Sequence, residues 1–74
     1  MKQAEVILLD SNSAEFSVGR RVRLEEAGGT LSQIAGYSIE TVTYSDLERR
    51  VYIRTELGYQ FTITSDDYHR LIAR

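Results

Sequence analysis

One side chain in this sequence has an unperturbed pKa near neutrality, the single histidine His69, which makes it the default acid or base. Its sequence neighbours supply no nucleophile pattern, and a solitary histidine beside Asp67 is expected to be a surface residue. The adjacent pair Asp66-Asp67 follows Ser65, the composition of a helix start: a hydroxyl cap and two acids that complement the helix dipole. That explanation is preferred to a paired-carboxylate acid/base site. Without cysteine or a second histidine, no ligand set for zinc exists, so neither a metal nor a cofactor is expected. Gly28-Gly29 lacks the strand, glycine-rich loop, helix and lysine of a phosphate loop, and reads as turn chemistry. No catalytic residue is assigned, and the expectation is a protein that is not an enzyme.

What remains is cationic and aromatic. Eight of the nine basic residues are arginine, clustered as Arg20, Arg21, Arg23 and as Arg49, Arg50, Arg54, with Arg70 and Arg74 near the end. If Val51 and Ile53 face inward, Arg50, Tyr52 and Arg54 project together from one strand, and Arg21 and Arg23 project likewise from another. Guanidinium forks grip phosphate or carboxylate, and phenol rings stack on bases. These five residues are therefore the candidate nucleic-acid or partner-binding set. Against them stand a net charge of -2, too acidic for a broad positive field, and the interleaved Glu25, Glu26, Glu40, Glu48 and Glu56. Cross-strand pairing of those glutamates with the arginines would leave a solvated mixed-charge face, each pair contributing a few tenths of a kcal/mol. The interleaving favours this second reading.

The elements that would carry these residues are mostly strands. Alternation through Arg21-Val22-Arg23-Leu24-Glu25 puts Val22 and Leu24 on one face, and Ala27-Gly28-Gly29 supplies the backbone freedom for a reversal. From Thr30 to Tyr44 the β-branched and aromatic content predicts extended structure. Its parity breaks, since Tyr37 and Ile39 are odd while Val42 and Tyr44 are even, so a bulge or sharp bend is expected near Ser38 to Thr41, helped by Gly36. Ser45-Asp46-Leu47-Glu48 has capping-box spacing with room for one turn only. Arg50 to Thr55 resumes alternation, Gly58 suits the left-handed position of a three-residue hairpin loop, and the return strand runs through Tyr59, Phe61 and Ile63. After Ser65, the spacing of Tyr68, Leu71 and Ile72 fits either a short amphipathic helix or a 3₁₀ turn with a last strand from Arg70 to Ala73; the second is preferred. The segment before residue 16 is compatible with a strand, a short helix or an arm.

Seventy-four residues predict one domain over 1–74, and a chain of that size buries only about 60% of its unfolded surface. Reinforcement is expected from self-association, because disulfides and thiolate metal sites are excluded. Val6, Ile7, Leu8 and Leu9 form the longest apolar run and are the candidate oligomer interface, as an edge strand pairing with a second copy. The run is too short to span a bilayer or to form a signal-peptide core, which predicts no membrane partner and a cytoplasmic address.

A glycine before the Val22-Arg23-Leu24 strand, the Gly28-Gly29 turn, a long bent strand, a hairpin and a terminal tight turn together resemble the SH3-like small barrels. The resemblance covers roughly Phe16 to Arg74. Within that superfamily, Phe16-x-x-Gly19-x-Arg21-Val22-Arg23 followed by Ile34-x-Gly36-Tyr37 is similar in outline to the plasmid-borne type II dihydrofolate reductases, which are oligomers of short SH3-like chains. The family builds its active site on a symmetry axis from a Val-Gln-Ile-Tyr segment. The nearest segment here, Tyr59-Gln60-Phe61-Thr62, keeps only the glutamine, so the activity is not carried over.

The fold expected is all-β, a small SH3-like barrel of about five strands with a short closing helical turn. Three functions fit: a non-enzymatic, self-associating interaction module; a nucleic-acid-binding barrel using the Arg/Tyr face; or a small-ligand site at an oligomer axis lined by Tyr59 and Gln60. The first is preferred.

Overall fold

A computed structural model of the chain describes residues 2–72. Its elements are β1 (Lys2–Ile7), β2 (Asp10–Ser11), β3 (Arg21–Ala27), β4 (Thr30–Ile34), β5 (Tyr37–Ser45), β6 (Arg50–Thr55), β7 (Gln60–Thr64) and α1 (Ser65–Ile72). The strands form one curled antiparallel sheet in the order β1-β3-β4-β5-β6-β7-β2. The result is a half-barrel compatible with an SH3-like barrel: mostly β and closed at one end by a helix. Strand pairing does not close it.

The alternation seen in the sequence sets which side chains enter the barrel. Val22 and Leu24 from β3, Val51 and Ile53 from β6, and Phe61 and Ile63 from β7 are all at most 6% exposed, with the residues between them mostly outside. Phe16, from the loop between β2 and β3, plugs one end and meets Phe61 and Tyr37 edge-on, at centroid distances of 5.7 and 6.0 Å.

Two-residue turns join β3 to β4 and β4 to β5. Gly28 and Gly29 both have positive φ (66° and 88°), the requirement of the mirror-image turn whose twist matches the strands it joins. Gly58, with φ of 92°, is the last of the three loop residues enclosed by the Thr55 N to Tyr59 O bond (2.9 Å), and Gly58 N donates to Thr55 O at 3.0 Å. The expected bend is present as a register shift between Ile39 and Thr41 opposite β6, which leaves Glu40 as the extra residue. Through it, β5 pairs with β4 at one end and with β6 along the rest.

The expectation of about five strands is corrected to seven. Thr30 to Tyr44 is not one strand: Ala35 (φ 55°) and Gly36 (φ 85°) make a second tight turn between β4 and β5. The N-terminal segment adds two strands, β1 on β3 and β2 on β7. The preferred last strand from Arg70 is also corrected, since α1 runs through Ile72; Ala73 lies outside the described residues. The helix cap is Thr64 rather than Ser65, with Asp67 N donating to Thr64 Oγ1 at 3.0 Å.

Val6, Ile7, Leu8 and Leu9 differ most from expectation. Val6 and Leu8 are 1% and 0% exposed in this chain's own core, while Ile7 is 46% exposed and Leu9 half-buried. Leu8 N donates to Arg20 O at 3.0 Å and Leu9 N to Thr62 O at 2.7 Å, so the run bridges the two edges of its own sheet.

Truncating Leu8 to alanine is expected to cost about 2–5 kcal/mol, whereas Leu47→Ala, at a turn residue 96% exposed, is expected to stay within about 0.5 kcal/mol of the parent. Urea denaturation of both variants checks the contrast. Gly36→Ala is expected to cost about 1–2 kcal/mol from the backbone alone, because a Cβ there meets no atom within 4 Å.

Candidate binding face

Strand alternation places Arg50, Tyr52 and Arg54 on the outer face of β6, opposite Val51 and Ile53. The register then assigns their neighbours. Arg50 lies between Ser45 and Thr64, Tyr52 between Thr43 and Thr62, and Arg54 between Thr41 and Gln60. Thr41, Thr43, Tyr52, Arg54, Gln60 and Thr62 line a shallow groove of about 340 Å³. Thr62, only 5% exposed, belongs to its floor. No carboxylate lines this groove.

Pairing with glutamate, the competing explanation for these arginines, is not what the side chains do. Among the described residues one ion pair forms, Arg70 with Asp67 within α1. Glu26 instead accepts from Gly29 N at 2.7 Å, buttressing the glycine turn. Glu48, on the turn between β5 and β6, accepts a hydrogen bond from the Tyr52 hydroxyl. That bond raises the Tyr52 pKa above 10.0, assisted by desolvation and the Glu48 charge and opposed by Arg50. The Glu48 backbone is held in turn by its N–H donating to Ser45 Oγ at 3.3 Å.

Arg21 and Arg23 are not brought to this groove. They sit on β3, with β4 and β5 between them and β6, and their partners on β1 are Ile7 and Glu5. The depressions they line also contain Glu5 and Glu25, or Glu5 and Asp67. The five-residue set therefore divides between two parts of the surface: Arg50, Tyr52 and Arg54 on β6, where Glu48 is held on the Tyr52 hydroxyl and Asp46 lines the same cleft as Arg50, and Arg21 and Arg23 on β3 among Glu5, Glu25 and Asp67. Tyr59 and Gln60 are separated as well. Gln60 lines the outer groove, whereas half-buried Tyr59 packs on Tyr37 at 4.8 Å and on Phe61 at 6.3 Å.

His69 is exposed on α1, and its Nδ1 lies 2.9 Å from Ser65 O and 3.1 Å from Ser65 Oγ, which leaves Nε2 unengaged. Beside it, Tyr68 and Tyr44 meet edge-on at 5.0 Å and share a hydrogen bond between their hydroxyls. Sequence reasoning missed this tyrosine pair, because it joins residues 24 positions apart. Tyr44, Ser45, Asp46, Arg50, Ser65, Tyr68 and His69 border a second cleft of about 410 Å³, between the β5–β6 turn and α1. No group of three or more metal-ligating side chains exists among the described residues, and none of their helices is long and apolar enough to cross a membrane.

No protein-family model, curated protein or solved structure matches this chain.

Burial, the hydrogen bond with Tyr44 and the Tyr44 charge push the Tyr68 pKa from 10.0 up to about 12. A raised phenol pKa means that the folded chain keeps a proton the unfolded chain loses. The stabilisation is complete below pH 10.0 and is lost as pH rises towards about 12. Melting temperature is expected to fall across that window, and less steeply in Tyr44→Phe, which removes the hydrogen bond while keeping the ring. Thermal melts at a series of alkaline pH values check this.

Proposed function

We propose that this protein is a binding module for single-stranded nucleic acid, with the strand lying along β6 on the outer face formed by β5, β6 and β7. The observation that carries the reading is the Arg50-Tyr52-Arg54 stripe, whose guanidinium groups form no ion pair and of which Tyr52 and Arg54 line a groove without a carboxylate. Alternate residues on a strand are roughly 6.7 Å apart, so the two guanidinium groups flank a ring available for stacking, 38% exposed. An extended polyanion with a π-face on every unit matches this order of charge, ring, charge. The SH3-like outline supports the same reading, since small barrels of that kind present aromatic and arginine side chains on a sheet face to bases and phosphates. Threonine hydroxyls along the groove offer neutral hydrogen bonds that suit sugar and phosphate oxygens.

Self-association is favoured by one separate observation: β1 is an edge strand, paired with β3 alone, and it carries exposed Ile7. Light scattering at high concentration of the parent chain and of Ile7→Lys tests this second reading. A strictly monomeric parent ends it.

Fluorescence anisotropy with labelled single-stranded and duplex oligonucleotides at low salt tests the first. Binding to single strands is expected, with log affinity falling against log salt at a slope of about -1.4 for two neutralised phosphates. Tyr52→Ala is expected to weaken binding about 5- to 150-fold, and Arg54→Ala to flatten the slope by about 0.7. Glu48→Gln, which removes the carboxylate beside the stripe, is expected to strengthen binding. Absence of binding at low salt overturns the proposal.

A further inference from the structure

Arg50 borders the cleft beside α1 and Tyr52, two residues on, lines the groove; the cleft lies past the end of the outer face, because Tyr44, opposite core-facing Val51, is on the inner side of the sheet. A chain following the stripe to Arg50 and over the end of β6 reaches a differently built place. Its aromatic wall is Tyr44, 54% exposed, held against Tyr68 by the edge-on contact and the shared hydroxyl bond. Polar groups border the same space: the Ser45 and Ser65 hydroxyls, His69 and the Asp46 carboxylate. No hydrogen bond or ion pair among the described residues engages the Asp46 side chain, and His69 turns its Nδ1 back onto Ser65.

A free carboxylate is poorly matched to a phosphate, which it repels. It is well matched to an exocyclic amino group, from which it can only accept. Cytosine presents such a group at N4, whereas thymine presents a carbonyl oxygen at the equivalent position. We infer that the cleft between the β5–β6 turn and α1 is a base-reading pocket, in which Tyr44 stacks on one base and Asp46 accepts from its exocyclic amino group. The inference rests on the single-strand reading above and adds selectivity to it: β6 grips the backbone without regard to sequence, and the cleft selects amino-bearing bases over thymine or uracil.

The test compares oligo(dC) with oligo(dT) of equal length against the full chain at one low salt concentration, in the parent, Asp46→Asn and Tyr44→Ala. Both oligomers are flexible pyrimidine strands that differ at the exocyclic group, at N3 (an acceptor in cytosine, an N–H donor in thymine) and at the C5 methyl, so the change in preference on Asp46→Asn is what isolates the carboxylate. The parent is expected to bind oligo(dC) about tenfold more tightly than oligo(dT). Asp46→Asn is expected to reduce that preference to about twofold while retaining oligo(dT) affinity, because an amide presents a donor as well as an acceptor. Tyr44→Ala is expected to weaken binding of both oligomers. Equal parent affinities for the two oligomers overturn the pocket and leave the single-strand reading standing, as does a preference unchanged by Asp46→Asn. Binding of neither oligomer overturns both.

Discussion

Everything in this fold depends on one segment satisfying two sheet edges at once. Residues 2–11 pair with β3 as β1, turn through Leu8 and Leu9, and pair with β7 as β2. The crossing is fixed from both sides: Leu8 N reaches Arg20 O, Leu8 O accepts from Gly19 N at 2.8 Å, and Leu9 N reaches Thr62 O. Leu8 itself is wholly buried. A curled sheet of this size has two edges whose backbone groups would otherwise face water or another chain. Here the covalent chain ties the edges together, and α1 packs against β1, β3, β6 and β7 across the remaining gap. This is why a chain without cysteine, with a core of about a dozen apolar residues, can hold a half-barrel shape.

The binding face inherits its geometry from local irregularities in β5 and its turns. With Glu40 as the extra residue, Val42 faces the core opposite Ile53 while Thr41 and Thr43 face outward beside Arg54 and Tyr52. Without that residue, the side-chain parity of one half of β5 would invert and apolar residues would replace the threonines on the outer face. The turn that follows is equally specific. Arg49 adopts a positive φ of 58°, unusual for a residue with a Cβ, and Ser45 Oγ caps the turn by accepting from Glu48 N. Together these place the Glu48 carboxylate on the Tyr52 hydroxyl.

What the sequence made legible was local. Alternation at Val22 and Leu24 or at Val51 and Ile53, the glycine turns at residues 28–29 and 58, and the parity break around Glu40 each follow from a few adjacent residues, and each is present. Ala35-Gly36 was not legible as a turn, because alanine rarely takes the left-handed conformation and the surrounding β-propensity runs unbroken through it. The role of Val6 to Leu9 was hidden for a different reason. An apolar run looks the same whether it covers another copy or bridges its own sheet, and only pairings with residues such as Arg20 and Thr62, far along the chain, decide. The arginines show the same limit, since Arg21, Arg23, Arg50 and Arg54 are equivalent in type but belong to separate parts of the curled surface.

Net charge is a weak guide to the field at the β6 face for a related reason. Many of the acids that make the chain negative serve backbone and side-chain geometry away from the groove. Asp10 accepts from Ser11 N, Glu26 from Gly29 N and Asp67 from Arg70, while Glu5 and Glu25 stand beside Arg21 and Arg23. At physiological ionic strength exposed charges are screened over about 8 Å, so a charge sum over a molecule 33 Å long averages surfaces that do not act together. Locally, the groove on β5 to β7 is bordered by Arg54, with Arg50 next along the strand and Glu48 as the near carboxylate, held on Tyr52. The physical contrast that matters is therefore within the protein: Arg54 faces outward in a groove of hydroxyls, with Arg50 and Asp46 at its far end, while Arg21 and Arg23 stand among carboxylates on another part of the sheet.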